Sequence, residues 1–267
     1  MSNLPMETVL DPDGTIPPLP EHVKEALAKE WADPATALQL KDANDLLKPG
    51  YLPLETGYAR LPNGQIHVAC LTKMPGCKGR MVKWFFGWQS NTNHYQWWHP
   101  HAHVWADWEK GPQNRNNDPD VDNFIGDSHL VHEVIGGETS KLRIHFLDPS
   151  EYLDTSRFTE ANVSAAICAR VGYLDKPLKI SRMIHFIRDT EDGCEMRSRF
   201  WSGDIEISIP ILGPILGLVM NTRTMRQRVL PEFLGEELLT HCAEEMNHLA
   251  EILPDLFYKM TGEKKEA

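Results

Sequence analysis

The chain contains 267 residues, and its five cysteines form no recognisable pattern. The number is odd, and no two cysteines are spaced as a C-x-x-C pair. We therefore expect neither a disulfide framework nor a thiolate zinc site, and a reducing, cytoplasmic location fits this cysteine usage. Familiar catalytic motifs are missing as well: the sequence has no G-x-S-x-G, no P-loop, no Rossmann fingerprint and no H-E-x-x-H.

Positive charge is also scarce, because 27 Lys and Arg stand against 38 Asp and Glu, for a net charge of -11. Nucleic acids and anionic membranes are usually bound by basic surfaces, so we expect neither as a partner. The first 20 residues have no basic region followed by an apolar one, as a secretory signal would.

No apolar run is long enough to span a membrane, which takes roughly 20 residues. The most apolar segment, Ile205 to Met220, is interrupted by two prolines and two glycines. We expect it to be buried, to cover a pocket or to contact a second subunit.

The order of elements predicts an α+β fold. We expect a Pro-rich arm up to residue 20, strands separated by Pro62-Asn63-Gly64 and by Asp192-Gly193, and a C-terminal helix that packs across one curved antiparallel sheet. Helices are predicted at 21–47, 79–88 and 223–258, the last one bent near Pro231, Gly235 or Pro254, and strands at 57–61, 65–71, 130–135, 141–147, 164–174, 178–188 and 194–207. The domain prediction is an N-terminal arm and helix (1–50), a single domain (51–262) and a disordered tail (263–267).

What the chain has in abundance is histidine and tryptophan in one stretch, HYQWWHPHAHVWADW, from His94 to Trp108. Imidazole is the commonest metal ligand and titrates near neutral pH, whereas indole rings exclude water. The stretch therefore predicts a metal or acid/base site in a dry pocket. The alternative is a core segment whose histidines are hydrogen-bonded within the protein.

A second cluster lies on the predicted C-terminal helix. Its apolar stripe consists of Leu234, Leu238, His241, Glu245, Leu249, Ile252 and Leu256. His241 and Glu245 stand where the pattern would place Leu, and residues four apart are neighbours on a helix surface. Because burying an unpaired carboxylate is costly, Glu245 is expected to bind a metal or to form a buried hydrogen bond with His241.

Three further residues are candidates with weaker signals. Strand alternation places Glu133 on one face as a possible carboxylate ligand, although it could equally face solvent. His185 lies mid-strand among apolar residues, as a general acid/base or as a packed core residue. Tyr95 could present a phenol to the pocket or simply pack. Glu245-x-x-His248 is half of a di-iron motif, but no second copy and no helical bundle are predicted.

The stretch WFFGWQSNTNHYQWWHPHAHVWADW resembles the W-x-F-G-W…Y-x-x-W-H-P-x-D-H segment of the diacetylphloroglucinol hydrolase and phloretin hydrolase family. The resemblance continues through HEVIGGETSKLRIHFLDPSEY and the H-x-x-x-E of the last helix, and covers residues 50 to 260. It implies a Bet v1-like fold, with the sheet gripping the long helix around a cavity. It also implies hydrolysis of the carbon–carbon bond between an acyl group and a polyphenol ring.

The same resemblance implies a zinc ion held by two histidines and two glutamates. The matching positions are His103, Glu133, His241 and Glu245, with His185 as the catalytic histidine and Tyr95 as the active-site tyrosine. Ala102 replaces the family's Asp and His101 is an additional imidazole, so the choice among His99, His101 and His103 stays open. The family's other phenol-binding residues have no clear match at Ala106 or in the Phe200-Trp201 region, so the substrate can differ.

Two functional hypotheses follow. The first is a homodimeric zinc-dependent hydrolase acting on an acylated phenol or a related β-diketone tautomer. The second is a carrier that binds an apolar or aromatic small molecule in the same cavity without catalysis. Tightly bound zinc favours the first.

Overall fold

The computed structural model describes residues 14–111 and 118–265. Most of the predicted N-terminal arm, residues 112–117 and the last two residues of the predicted tail lie outside these ranges. Among the described residues, no helix is both long and apolar enough to span a membrane.

The described residues form eight strands and six α-helices. The strands are β1 (Gly57–Arg60), β2 (Ile66–Pro75), β3 (His103–Trp108), β4 (Ser128–Ile135), β5 (Glu138–Leu147), β6 (Val163–Tyr173), β7 (Leu178–Thr190) and β8 (Gly193–Ile207). The helices are α1 (Glu21–Ala28), α2 (Gly79–Trp88), α3 (Thr92–Trp98), α4 (Leu212–Met220), α5 (Arg223–Val229) and α6 (Leu234–Thr261). The predicted α+β class is confirmed.

All eight strands belong to one sheet in the order β1-β2-β8-β7-β6-β5-β4-β3, and each neighbouring pair is antiparallel. Five strand spacings separate β2 from β4, which is about 24 Å in a flat sheet. Two adjacent residues of α6 nevertheless contact both strands. The Cys242 thiol is hydrogen-bonded to Cys70 on β2, and His241 Nε2 lies 3.0 Å from a carboxylate oxygen of Glu133 on β4. The sheet therefore curves around the helix, as expected for a Bet v1-like fold.

The outer face of the sheet is covered by the segment that follows α1. The Trp201 indole on β8 donates to the Leu38 carbonyl at 2.8 Å, and Arg197 donates to the Leu46 carbonyl at 3.1 Å. Glu55 accepts hydrogen bonds from both Arg197 and Arg199. These contacts bury the outward side of β8 and leave its other side free to face α6 and a cavity.

The prediction of one helix over 21–47 is wrong. Helix α1 ends at Ala28, and only short 3-10 segments follow, at Pro34–Thr36 and Leu40–Leu47. Glu30, just after α1, has a φ of 57°, which is not right-handed helical, and Pro34 keeps a helix from resuming through Asp33, because the residue before a proline is disfavoured in helical conformation. Asp33 instead caps the next turn by accepting a hydrogen bond from the Ala35 N–H.

The C-terminal helix prediction is right in type but merges two elements. Helix α5 ends at Val229 and α6 begins at Leu234, so the predicted helix is interrupted around Pro231. Pro254 lies inside α6 without ending it.

The predicted burial of residues 205–220 is wrong for α4. Only Gly213 and Gly217 of this helix are buried, whereas Leu218 is 76% exposed and Ile211, just before the helix, is 85% exposed. The two glycines let the helix approach β8 closely and turn its apolar side chains outward.

Candidate active site

Four of the six predicted site residues meet where α6 crosses β3 and β4. The antiparallel register pairs His103 on β3 with Glu133 on β4, so the two side chains lie next to each other on the inner face. His241 and Glu245 come from successive turns of α6 and are buried against them.

His103, Glu133 and His241 could hold a metal ion, because each offers one ligand atom and these atoms all lie within 4.8 Å of one another. His241 Nε2 is 3.0 Å from a Glu133 carboxylate oxygen. Glu245 adds a second carboxylate, 3.4 Å from His103 Nε2 and 3.8 Å from His241 Nε2. These residues come from three elements, β3, β4 and α6, that are separated in sequence, so only the tertiary fold brings them together.

The orientation of His103 suits a metal ligand. Its Nδ1 donates to the Tyr95 carbonyl at 2.8 Å, and its ring stacks on the Tyr95 ring with 3.6 Å between centroids. This hydrogen bond fixes the tautomer and leaves the Nε2 lone pair facing the cluster, as is common for metal-ligating histidines. Nε2 is buried and has no well-aligned hydrogen bond among the described residues. Burial and the neighbouring His241 hold the pKa of His103 well below its usual value.

The charges in the cluster are strongly coupled. Burial alone would lower the pKa of His241, but donation of a hydrogen bond to the Glu133 carboxylate and the charge of Glu245 raise it to about 9. Burial raises the pKa of Glu245 to about 8, partly offset by His241. A buried pair of carboxylates therefore lies opposite a buried pair of imidazoles, with His241 Nε2 also lacking a well-aligned hydrogen bond among the described residues.

The other two histidines of the H-P-H-A-H segment lie outside this cluster. His99 caps the end of α3, as its position before Pro100 predicts, and its Nε2 faces Glu244 at 3.3 Å. His101 is exposed. Of the three imidazoles, only His103 lies within ligand distance of Glu133 and His241.

Helix α3 is joined to α6 by two hydrogen bonds. The Trp98 indole donates to the Glu245 carbonyl at 2.9 Å, and His248 Nδ1 donates to the Trp98 carbonyl at 2.9 Å. His248 does not belong to the group of potential metal ligands found among the described residues, so nothing here supports a di-iron half-motif at Glu245-x-x-His248. The same bonds place the Trp/His stretch directly over the cluster.

A cavity of about 350 Å³ opens from this cluster toward β5–β8. Glu133, His241, Glu245, Tyr95 and His185 all line it. Its wall is mostly apolar and includes Phe86, Leu142, Ile144, Phe146, Met183 and Phe200. The size and character suit a small aromatic molecule.

His185 and Tyr95 bring two further functional groups to the cavity. His185 Nδ1 is 2.7 Å from the Ser198 hydroxyl, and burial lowers its pKa to about 3, so the imidazole is neutral at neutral pH. Burial and the nearby Glu133 and Glu245 raise the pKa of Tyr95 well above its usual value, so its phenol stays protonated.

Sequence reasoning missed three parts of this site. Strand β3 was not predicted, because its burial follows no simple alternation and its register with β4 shifts between His103 and Trp105. Ser198, the partner of His185, could have been found as its cross-strand neighbour once the β7–β8 hairpin was assigned. Gln89 also lines the cavity, and no sequence signal distinguishes it from a surface residue.

Comparison with known proteins gives a consistent family. The protein-family model described as DAPG hydrolase PhiG domain matches residues 38–258 of this chain. A 2,4-diacetylphloroglucinol hydrolase from Pseudomonas protegens is 29% identical over 231 residues, which cover 82% of this chain and 72% of the relative. A phloretin hydrolase from Eubacterium ramulus is 27% identical over 207 residues, which cover 75% of this chain and 70% of the relative.

Among solved structures the similarity is distant. Ginseng major latex-like protein 151 from Panax ginseng is 13% identical, with a TM-score of 0.33 over 62% of this chain and 97% of that chain. A protein of unknown function from Staphylococcus aureus is 9% identical, with a TM-score of 0.32 over 74% of this chain and 95% of that chain.

Proposed function

Because this chain belongs to the DAPG hydrolase family, we propose that it hydrolyses the carbon–carbon bond between an acyl group and a polyphenol ring. The relatives are named for an acylated phloroglucinol and for phloretin, which are both phenolic ketones. The observation that carries the proposal is the buried His103, Glu133 and His241 group at one end of an apolar cavity that His185 also lines. The products would be a phenol and a carboxylic acid.

We further propose that the resident metal is zinc, held by His103, Glu133, His241 and Glu245. The residues fit such an ion, because two buried imidazole Nε2 atoms without well-aligned hydrogen bonds among the described residues face two carboxylates. Imidazole nitrogen and carboxylate oxygen are both common zinc ligands. A bound zinc ion would polarise a substrate oxygen and favour deprotonation of a water molecule.

The reaction requires one water and one proton transfer to carbon. The water oxygen becomes bonded to the acyl carbon, the ring–acyl bond breaks, and the ring carbon takes a proton. An aryl carbanion is a poor leaving group, so protonation of the ring, which gives a keto tautomer, has to precede cleavage. We assign the proton transfer to His185, whose neutral imidazole can accept a proton from a substrate or solvent hydroxyl and deliver it to the ring carbon.

Tyr95 has a supporting and a binding role in this proposal. Its backbone and ring hold His103, and its protonated phenol is hydrogen-bonded to Glu133. The phenol has a single proton, so it would turn from Glu133 to donate to an oxygen that becomes negative during the reaction; such donors are most effective where water is excluded.

The alternative is a carrier that binds an aromatic molecule without catalysis, and the largely apolar cavity would suit that function as well. Buried carboxylates are costly and would serve no purpose in an apolar carrier. The deciding experiment is a hydrolysis screen over acylphloroglucinols, dihydrochalcones and β-diketones, with and without a chelator. Chelator-sensitive release of a carboxylic acid is expected, whereas ligand binding without turnover would favour the carrier.

We also propose that the protein is a cytoplasmic homodimer that associates through α4. The exposed segment 207–222 has no charged residue in a chain of net charge -11, so two copies can meet there without like-charge contact. Leu218→Asp should then give a monomer by light scattering after size-exclusion chromatography, whereas the unaltered protein should give a dimer. An unchanged mass for this variant, or a monomeric parent, would contradict the assignment.

A further inference from the structure

Gln89 is a buried amide that no other described residue satisfies. The residue follows α2 and is 1% exposed. Its side-chain oxygen and nitrogen are both buried without a hydrogen-bond partner among the described residues. Most buried polar groups in native proteins are paired, because an unpaired one is destabilising. An amide with neither atom paired calls for a partner from outside the chain.

Gln89 lines the same cavity as His185, Glu133, His241 and Glu245. Its backbone is held on both sides: the N–H donates to the Phe85 carbonyl at 3.1 Å, and the carbonyl accepts from the Trp108 indole at 2.8 Å. The side chain therefore extends from a fixed point. Such preorganisation is typical of residues that recognise a ligand.

The chemistry of the amide defines what it can bind. It is uncharged and offers both a donor and an acceptor, so it suits a neutral hydroxyl or carbonyl better than an anion. The potential metal ligands are His103, Glu133 and His241, and much of the remaining wall is apolar. We propose that Gln89 is a specificity-determining residue that hydrogen-bonds a ring hydroxyl or ring carbonyl of the substrate, apart from the group held at the metal.

This inference rests on the proposed function and narrows its substrate class. A site with an unpaired buried amide discriminates against ligands that would leave the amide unpaired. The preferred substrates should therefore be polyhydroxylated aryl ketones. Aliphatic β-diketones, which have no ring hydroxyl, should be poor substrates.

The test compares two acylphenols that differ by one ring hydroxyl, 2′,4′,6′-trihydroxyacetophenone and 2′,6′-dihydroxyacetophenone. In the unaltered protein, kcat/KM should be about tenfold or more higher for the trihydroxy compound, as expected for one hydrogen bond to a buried polar group. In Gln89→Met, which preserves length without polar atoms, the ratio of the two values should fall by about tenfold relative to the unaltered protein, because any difference in the ring's own reactivity is the same in both proteins. The melting temperature of this variant should not fall, because two unpaired polar atoms are removed.

Gln65→Met is the matched control. Gln65 is also buried, but it does not line the cavity, and its side-chain oxygen accepts from Asn63 at 2.9 Å. This variant should melt at a lower temperature and keep the preference for the trihydroxy compound. The proposal is overturned if Gln89→Met keeps the preference, or if it melts lower and loses activity equally on both compounds.

A binding measurement separates this inference from the proposed function. If the unaltered protein hydrolyses none of these ketones, the proposed activity fails, and calorimetric titration with phloroglucinol, resorcinol and phenol then tests Gln89 alone. Affinity that rises with hydroxyl number in the unaltered protein and not in Gln89→Met supports the assignment. Equal dependence on hydroxyl number in both proteins contradicts it.

Discussion

Each histidine near the candidate metal centre has a different partner, and the partner determines what it can do. His103 donates Nδ1–H to a backbone carbonyl and turns Nε2 to the cluster, whereas His99 faces Glu244 and His248 is bonded to Trp98. The sequence alone could not separate the clustered imidazoles, because proximity along the chain says nothing about where each ring points.

The first prediction concerns that choice. His103→Ala should abolish metal binding, because it removes a ligand at the centre of the cluster, whereas His99→Ala should retain at least part of the bound metal. Elemental analysis of both purified variants measures the difference. Retained metal in His103→Ala together with loss in His99→Ala would reverse the assignment.

A second prediction separates proton transfer from metal binding. His185 contacts Ser198 and does not belong to the group of potential ligands, so His185→Ala should keep the metal and the fold while losing rate. A positioned acid/base typically contributes about 10²–10⁴-fold to kcat, or roughly 3–5 kcal/mol of barrier. Steady-state kinetics on metal-replete protein provide the check. A rate within about threefold of the parent would leave His185 as a packing residue.

His67, remote from the cluster, gives a prediction about pH. Burial and the charge of Arg199 lower its pKa from 6.5 to about 3 in the folded protein. The unfolded chain therefore binds one more proton than the folded one at pH values between these limits, so stability falls as pH falls through 6.5. His67→Gln removes this dependence, and about 2 kcal/mol of the difference in unfolding free energy between pH 7.5 and 5 should disappear.

Urea unfolding of His67→Gln and its parent at both pH values measures the effect. Other buried histidines keep their own dependence in both proteins, so the comparison isolates one site. An identical pH dependence in the two proteins would contradict the assignment of a neutral buried His67.

At the scale of elements, α6 contributes both apolar core residues and two of the candidate metal ligands, His241 and Glu245. Its stripe was predictable because a helical period of 3.6 places Leu238, His241, Glu245 and Leu249 on one face. The proximity of Glu133 and His241 was not predictable from the pattern, since it depends on how the sheet curves around α6. The prediction of one helix over 21–47 was wrong because the apolar spacing was taken as helical across Pro34. The conformation of the segment after Pro34 depends on tertiary contacts to β8.

A further substitution tests α6 as an element. His241→Ala removes the base that lies between Glu133 and Glu245 and leaves two buried carboxylates without it. Such a change should lower the unfolding free energy by about 3–5 kcal/mol. It should also abolish metal binding. His101→Ala, at an exposed imidazole, is the control and should change neither. Full metal content and an unchanged urea midpoint in His241→Ala would mean that the cluster is not the metal site.

At the scale of the whole molecule, a curved sheet closed by one helix produces a cavity with polar groups near one end and apolar walls elsewhere. The α+β class and the three central strands β6, β7 and β8 were predictable from alternation and turn residues. The exposure of α4 was not predictable, because apolar composition alone cannot tell a buried segment from an exposed one. In the structure Gly213 and Gly217 face inward, so the larger apolar side chains of α4 face outward.

The central claim is that this cavity performs metal-dependent hydrolysis of a carbon–carbon bond. Its most direct test is mass spectrometry of the products formed from 2′,4′,6′-trihydroxyacetophenone in water enriched in oxygen-18. The account predicts acetic acid carrying one labelled oxygen from solvent and unlabelled phloroglucinol, both lost after chelation and restored by zinc. Absence of these products, or their undiminished formation by protein shown to be free of metal, would contradict it.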